Sequence, residues 1–370
     1  MSFVIGRGDD LEAGPVGHLG AYRARDGSKG ATLHLDFDGP HAMLIVGKRG
    51  YGKSYTMGVL AEGLARARGV TPVIIDPMGV FDTLAASTPG EGVPATVVEK
   101  PTVAPTALDP RSWCALLGLS PESGPGGLVW QAAQETSTLE SMADHIEATD
   151  APVADKRAAA NHLRLADAWA VFDPDGLDAT DLGSSEVTII DVSGLESAPM
   201  NAVCRGVAEA LYRARVTDAI DRLPWLLLDE AHTFFDGVAE PALRTILTRG
   251  RAPGVSLVSA TQRPSAVPSV GISQSDVLLS HRLTSQADLD ALQDAQPTYM
   301  NVSLSDADRL PDDPGEVLII DDATETIHSA QVRPRDTPHG GDSPRASDVI
   351  VDDKPDDATA LRDSNGSDRG

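Results

Sequence analysis

Hydrophobic residues in this chain are concentrated in short, nearly uninterrupted runs separated by longer segments that favour helices. Runs with few polar interruptions are typical of strands buried on both faces, as in a parallel sheet covered by helices. The intervening segments are rich in Ala, Leu and Arg, and the first of them ends at a glycine, which predicts helices. The runs occupy residues 42–46, 72–75, 187–190, 225–228 and 255–261. This alternation predicts an α/β fold with a mostly parallel central sheet.

One long stretch departs from this alternation. Residues 101–183 contain helix-like segments between Pro, Gly and Asp breaks, and we interpret them as a helical insertion in the main domain. Trp113, Trp130 and Trp169 lie in this stretch among Ala and Leu residues. That setting favours a role in the core of the insertion over a platform for stacking bases.

The two ends of the chain are predicted to differ from the main domain, which we assign to residues 41–335. Residues 1–40 contain an alternating segment typical of one strand of a short β-hairpin. Residues 315–332 alternate in the same way and predict a second hairpin. Residues 336–370 consist largely of Asp, Ser, Gly, Pro and Ala, which predicts a disordered acidic tail.

Acidic residues dominate the charge balance. Asp and Glu number 55 against 30 Lys and Arg, giving a formal net charge of −25. Such a surplus is typical either of an acidic interaction protein or of a protein adapted to molar intracellular salt, where self-repulsion is screened. Because the acidic residues are spread along the whole chain, the second interpretation is favoured, and a salt-loving archaeon is the expected source. In molar salt an acidic total argues only weakly against nucleic-acid binding.

Several classes of protein are excluded by what the sequence lacks. The chain contains no apolar run long enough to cross a bilayer, so no membrane association is expected. No basic and then apolar leader is visible at the N-terminus, and a cytoplasmic protein is expected. Cys114 and Cys204 lie far apart without neighbouring histidines, which indicates neither a disulfide framework nor a zinc site.

A phosphate-binding motif follows the first apolar run. Residues 47–54 read G-K-R-G-Y-G-K-S and match the P-loop pattern, with a predicted strand before it and a predicted helix after it. In such a loop backbone N–H groups bind phosphate oxygens, Lys53 reaches the β- and γ-phosphates, and the Ser54 hydroxyl is a ligand for Mg²⁺. A chance glycine turn is the alternative. The predicted nucleotide-binding residues are Gly47, Lys48, Arg49, Gly50, Tyr51, Gly52, Lys53, Ser54 and Tyr55.

An acidic pair ends another apolar run. Residues 225–232 read W-L-L-L-D-E-A-H, the Walker B arrangement of a buried strand followed by two carboxylates. Asp229 is the predicted second Mg²⁺ ligand, and Glu230 is the predicted group that polarises the attacking water. Many buried strands end in Asp, so the pattern is weak alone. Downstream of a P-loop it is strong, because the two motifs are consistent with one site.

Three further polar residues are candidates for catalysis. Gln262 ends the last apolar run, where it is placed to sense the γ-phosphate or to orient the water; the alternative is an amide hydrogen-bonded within a turn. Arg249 and Arg251 lie on the predicted loop before that run. They are candidates for arginines that act on a neighbouring subunit's nucleotide, and a pair of surface arginines is the alternative.

These pieces together resemble the HerA/FtsK family of DNA-translocating ATPases, in particular its archaeal HerA-like branch. The resemblance rests on G-K-R-G-Y-G-K-S, I-I-D-P-M-G, L-L-L-D-E-A-H, R-G-R-A-P-G-V and S-A-T-Q-R-P-S, followed by S-Q and H-R-L, and covers about residues 41–90 and 186–335. It implies a RecA-like P-loop domain that binds ATP and Mg²⁺ and forms a homo-hexameric ring around double-stranded DNA. HerA proteins usually carry an N-terminal β-barrel, whereas a hairpin is predicted here.

Three functions remain open from the sequence. The first is a ring translocase that acts in repair, segregation or plasmid transfer. A nuclease partner would indicate repair. The second is a viral or proviral genome-packaging ATPase, and the third is a P-loop ATPase that acts as a switch without moving DNA.

Overall fold

The computed structural model describes residues 2–8, 14–24, 26–85, 92–294 and 311–340. These all belong to one compact unit, Met1–Gly340; the second unit, Gly341–Gly370, lies outside the described residues, as does the predicted tail beyond residue 340. Within the described ranges twelve strands form one sheet. They are β1 (Ser2–Ile5), β2 (Val16–Arg23), β3 (Lys29–Asp36), β4 (Ala42–Val46), β5 (Val70–Asp76), β6 (Ala95–Val98), β7 (Val187–Asp191), β8 (Leu223–Leu228), β9 (Ser256–Thr261), β10 (Val277–Ser280), β11 (Glu316–Asp321) and β12 (Thr326–Val332).

The sheet has the strand order β1-β3-β2-β12-β11-β10-β4-β9-β8-β5-β7-β6. From β10 to β6 each neighbouring pair is parallel. The strands β11, β12, β2 and β3 extend it with antiparallel pairs, and β1 joins β3 in parallel. The predicted α/β fold with a mostly parallel central sheet is therefore confirmed.

Eleven α-helices accompany the sheet in the described part of the chain. None of them is both long and apolar enough to span a bilayer. They are α1 (Lys53–Arg66), α2 (Pro110–Leu116), α3 (Gly124–Glu135), α4 (Leu139–Ala148), α5 (Val153–Ala168), α6 (Ala179–Leu182), α7 (Ser197–Val216), α8 (His232–Phe235), α9 (Glu240–Arg249), α10 (Ser269–Ser273) and α11 (Gln286–Asp294).

Helices cover both faces of the parallel strands. In β4, Met43 and Ile45 belong to a core cluster with the apolar residues of α1, whereas Leu44 and Val46 belong to a cluster with those of α7 and α9. Successive side chains of a strand point to opposite faces, so an uninterrupted apolar run supplies both cores. The carboxyl ends of the strands are therefore the place where polar side chains can leave the core.

Residues 101–183, predicted as a helical insertion, carry α2 to α6 and have a core of their own. Trp113 is 1% exposed in that core, and Trp169 packs at its edge. The prediction for Trp130 is wrong, because that side chain is 38% exposed on α3.

The terminal segments are joined to the main sheet. The predicted N-terminal hairpin exists as β2 and β3, with register shifts, and β2 also pairs with β12. At the other end, ordered structure continues past the predicted boundary at residue 335. The backbone N–H groups of Asp336 and Thr337 donate to the carboxylate of Glu62 in α1, which holds residues 336–340 against the domain.

A buried histidine connects the amino-terminal ends of the central strands. The Nδ1 of His41 lies 2.9 Å from the carboxylate of Asp276, and its Nε2 lies 3.6 Å from that of Asp36. Arg7 also donates to Asp36. Burial alone would lower the pKa of His41, but the hydrogen bonds and charges of Asp276 and Asp36 outweigh it and raise the pKa to about 9.

We predict a stability loss at alkaline pH that depends on His41. The pKa of His41 in the folded state lies above its value in the unfolded state. Its contribution to folding stability is therefore complete below pH ~6.5 and is lost as the pH rises through about 9. In denaturant unfolding, the difference in unfolding free energy between wild type and His41→Gln should shrink over that range by up to ~1.4 kcal/mol per pH unit. His162→Gln, at a half-buried position in α5, is the control and should follow wild type. A gap that does not change with pH would refute the assignment.

Candidate active site

The predicted phosphate-binding loop lies between β4 and α1, at the carboxyl edge of the parallel sheet. Gly47 and Gly52 have φ angles of 157° and 113°, a region that side chains rarely adopt. At Gly47 an added Cβ would also lie 2.6 Å from the Cβ of His281. Glycine is therefore needed at these positions both for the path of the loop and for its close approach to the next strand.

The loop is tied to two neighbouring strands. The Lys48 N–H donates to the carbonyl of Arg282, just after β10, at 2.7 Å. The Gly315 N–H, just before β11, donates to the carbonyl of Tyr51 at 3.3 Å. The Arg282 guanidinium also lies 5.6 Å from the centre of the Tyr51 ring. The residues that flank β10 and β11 thus hold the loop in place.

Helix α1 begins at Lys53 with Gly52 as its N-cap, and no described side chain caps it. The first N–H groups of a helix have no partner within the helix and carry a partial positive charge. Together with the loop N–H groups they are suited to bind phosphate oxygens. Lys48, Arg49, Gly50, Tyr51 and Tyr55 lie in this loop and first turn, as predicted.

Lys53, Ser54 and Asp229 meet where β8 ends beside the start of α1. The Ser54 hydroxyl donates to the Asp229 carboxylate at 2.7 Å. Lys53 is 6% exposed and Asp229 is 1% exposed. Burial lowers the pKa of Lys53, and the negative charges of Glu230 and Asp229 oppose that shift. Burial raises the pKa of Asp229, opposed by the Ser54 hydrogen bond, the Glu230 N–H and Lys53.

Glu230 has a strained backbone and a half-buried side chain with one buried carboxylate oxygen. Its φ of 45° is left-handed, an unusual conformation for a residue other than glycine and one found often at functional sites. Its Oε2 is buried and accepts no hydrogen bond from the described residues; His232 Nδ1 lies 3.4 Å away. Burial and then Asp229 raise the pKa of Glu230, while Lys53, a Gln262 hydrogen bond and Arg49 lower it in part.

Gln262 directly follows β9, and its side chain lies close enough to Glu230 to lower the pKa of that carboxyl in part. The structure therefore brings together the predicted P-loop, Asp229, Glu230 and Gln262 at one edge of the sheet. His232, which the sequence did not single out, joins them through Thr261, whose hydroxyl lies 3.2 Å from its Nδ1.

Arg249 and Arg251 lie elsewhere. Both are exposed, and they precede β9, at the amino edge of the parallel strands, opposite the P-loop. Arg249 is the last residue of α9 and not part of a loop as predicted. The helix extends to it because Gly250 still donates its N–H to the Ile246 carbonyl. Within one chain neither arginine reaches the site.

His281 is a supporting residue whose role the sequence did not reveal. It is 1% exposed after β10, its Nδ1 lies 2.8 Å from the Glu316 carbonyl, and its Nε2 lies 3.0 Å from the Thr56 hydroxyl in α1. Burial lowers its pKa to about 4, so the ring is neutral. It links the P-loop helix to β11. Its position just after the apolar run at residues 277–279 was the available signal.

Asp76, at the end of β5, caps a turn. Its carboxylate accepts hydrogen bonds from the N–H groups of Met78, Gly79 and Phe81. These three contacts make Asp76 the cap of the turn that follows β5.

The donor set suits a magnesium–nucleotide complex. The Ser54 hydroxyl and Asp229 carboxylate are hard oxygen ligands, and Mg²⁺ takes few of these from a protein when phosphates and water supply the rest. Among the described residues no group of three or more His, Cys, Asp or Glu side chains is placed to hold a metal ion. The residues present therefore fit Mg²⁺ bound together with phosphate.

The family described as "Helicase HerA, central domain" matches residues 18–209. No curated protein sequence matches the chain.

Solved structures give the fold. VirB4 of Thermoanaerobacter pseudethanolicus is 18% identical with a TM-score of 0.65, covering 88% of this chain and 98% of its own. The bacterial conjugative coupling protein TrwBdeltaN70 is 13% identical with a TM-score of 0.56, covering 84% and 88%. The genome packaging NTPase B204 from Sulfolobus turreted icosahedral virus 2 is 13% identical with a TM-score of 0.42, covering 79% and 97%. The first two confirm the RecA-like P-loop fold.

We predict that two substitutions separate nucleotide binding from hydrolysis. Lys53→Ala should abolish ATP binding or turnover, because the buried cation is lost. Glu230→Gln should still bind ATP but lower kcat by about 100-fold or more, since only the proton acceptor is removed. Fluorescent-nucleotide binding and phosphate release measure the two properties. Glu135→Gln, at an exposed site ending α3, is the control. Hydrolysis near the wild-type rate in Glu230→Gln would refute this role.

Proposed function

Because the chain belongs to the HerA helicase central-domain family, we propose that it hydrolyses ATP and uses the energy to move along double-stranded DNA as a ring of six subunits. The observation that carries the proposal is the convergence of Lys53, Ser54, Asp229 and Glu230 at one edge of the sheet. The fold shared with VirB4 and with the conjugative coupling protein TrwBdeltaN70 supports it.

In this proposal the loop N–H groups and Lys53 hold the phosphates of ATP. Mg²⁺, bound by Ser54 and Asp229, would supply positive charge that draws electrons from the γ-phosphoryl group. Glu230 accepts a proton from the water that attacks the γ-phosphorus as the bond to ADP breaks. Its raised pKa suits a proton acceptor, and the buried Oε2 is available to receive the proton. Gln262 orients the Glu230 carboxylate or the water.

The positions of Arg249 and Arg251 are the reason for proposing a ring. Charge builds on the γ-phosphoryl oxygens in the transition state, and Lys53 with Arg49 covers only part of it. Arg249 and Arg251 are exposed on the edge opposite the P-loop. A head-to-tail interface brings two different surfaces together and closes into a ring when the rotation allows. Such an interface would place these arginines beside a neighbour's nucleotide.

Duplex DNA should stimulate ATP turnover several-fold. A motor couples hydrolysis to its track, whereas a P-loop switch without a motor function does not. Phosphate release should be measured with and without duplex DNA in molar KCl, because salt screens the acidic surface, and again at ~0.1 M. Glu230→Gln gives the background. Turnover that no DNA changes, under conditions where the protein is folded and active, would contradict the motor and favour the switch.

Mixed subunits test the arginines. The double variant Arg249→Ala/Arg251→Ala and the variant Lys53→Ala should each be inactive alone. When mixed, interfaces that pair an intact P-loop with intact arginines should recover part of the turnover. Arg244→Ala, in the same helix α9, is the control and should remain active alone. If mixed rings form, as shown by tagged pull-down, and no activity returns, the arginines do not act in trans.

A further inference from the structure

A segment far along the chain from the P-loop lies against the P-loop helix. Residues 333–340, called here the strap, follow β12 and run along α1 towards its N-terminus. Contacts with the strap come from Tyr55, Gly58 and Glu62, which are three or four residues apart and so share one face of α1. The strap reaches the loop after β5, where a Cβ on Gly340 would lie 2.8 Å from the Val80 carbonyl oxygen.

Glu62 fixes the strap at its first end. This carboxylate is fully buried. It accepts hydrogen bonds from the N–H groups of Asp336 at 3.0 Å and Thr337 at 2.9 Å and from the Thr337 hydroxyl at 2.7 Å. The guanidinium of Arg333 lies 2.8 Å from it and that of Arg335 lies 3.7 Å from it. A buried charge with this many partners is strongly tied to one arrangement.

Tyr55 contacts the strap both near its start, through Arg335, and near its end, through His339. The Arg335 N–H donates to the Tyr55 hydroxyl at 2.7 Å. The rings of Tyr55 and His339 are 5.3 Å apart at 71°, an edge-to-face pair. Arg335 packs flat against Gly58, where a Cβ would come within 2.7 Å of its guanidinium carbon. Two partly exposed aromatic rings are therefore presented directly beside the first turn of α1.

The site itself gives the direction in which a bound nucleotide runs. Glu230 and Gln262 mark the γ-phosphate end, and Lys53 bridges the β- and γ-phosphates. The α-phosphate then lies over the first N–H groups of α1, which include that of Tyr55, the residue after Ser54. The ribose and base continue beyond the α-phosphate, away from Glu230. Tyr55 lies in this first turn, and the strap packs against its side chain.

We propose that Tyr55 and His339 form the nucleobase edge of the site, with the base stacked against their rings, and that Glu62 is the positioning residue that holds the strap there. The inference rests on the proposed function, since it needs a nucleoside triphosphate in the P-loop. Stacking on aromatic faces tolerates any base, so the edge recognises a nucleobase as such. The strap thereby makes nucleotide affinity depend on a segment far along the chain from the P-loop.

The test compares two probes: ATP, which has a base, and inorganic tripolyphosphate, which has none. Calorimetry with Mg²⁺ measures both dissociation constants for the full-length wild type and for His339→Ala, Tyr55→Leu and Glu62→Gln. Each variant should weaken ATP binding by roughly ten-fold and leave tripolyphosphate binding unchanged. His339→Phe keeps a ring and should restore ATP affinity. His162→Ala is the control and should bind both probes like wild type.

The outcomes separate the two proposals. If wild type binds neither probe, the proposed function fails and this inference fails with it. Suppose instead that wild type binds both probes. If His339→Ala and Tyr55→Leu then keep their affinity for both probes, or lose affinity for both equally, the nucleobase edge is refuted while the P-loop assignment stands. Melting curves show which variants fold. Should Glu62→Gln unfold, the two aromatic variants decide the result.

Discussion

The arrangement depends on one constraint: the ionisable groups of Lys53 and Asp229 are buried, and that of Glu230 is half-buried, at the edge of a largely apolar α/β core. Isolated charges of this kind are strongly disfavoured by burial, which is why burial is the largest influence on the pKa of each. They are tolerated because they face one another at the carboxyl ends of parallel strands, where the Ser54 hydroxyl and the Glu230 N–H complete the bonding of Asp229. The same proximity that stabilises them creates a site suited to phosphate and Mg²⁺.

A site made of mutually compensating charges requires that α1 and β8 keep their relative positions. The structure braces α1 on two sides. His281, neutral and buried, bridges Thr56 in the first turn to the Glu316 carbonyl. On another face, Glu62 binds the strap through two arginines and three donors. Both braces belong to the antiparallel extension of the sheet and the segment after it, which gives those elements a role in the site as well as in the fold.

The parts that could be predicted from sequence are those encoded locally. Lys53 and Ser54 stand in a glycine pattern between a strand and a helix, and Asp229 and Glu230 end an apolar run, so a few consecutive residues identify each. His281 and the strap escaped prediction because their partners lie 225 and 275 residues away, as in His281 with Thr56 and Thr337 with Glu62. Residues 336–340 also have the composition of a disordered tail, and a buried carboxylate elsewhere orders them. Arg249 is predicted on the loop before β9, yet it ends α9, because the Gly250 N–H still bonds within the last turn.

The central claim is that Ser54 and Asp229 complete a metal site only when nucleotide is bound. Electron paramagnetic resonance of Mn²⁺ tests it directly, since Mn²⁺ takes the oxygen ligands that Mg²⁺ takes. A bound Mn²⁺ signal should appear in wild type on addition of ATP and be absent without it. Ser54→Ala and Asp229→Asn should lose that signal while remaining folded. A signal that does not depend on ATP, or that persists unchanged in both variants, would contradict the account.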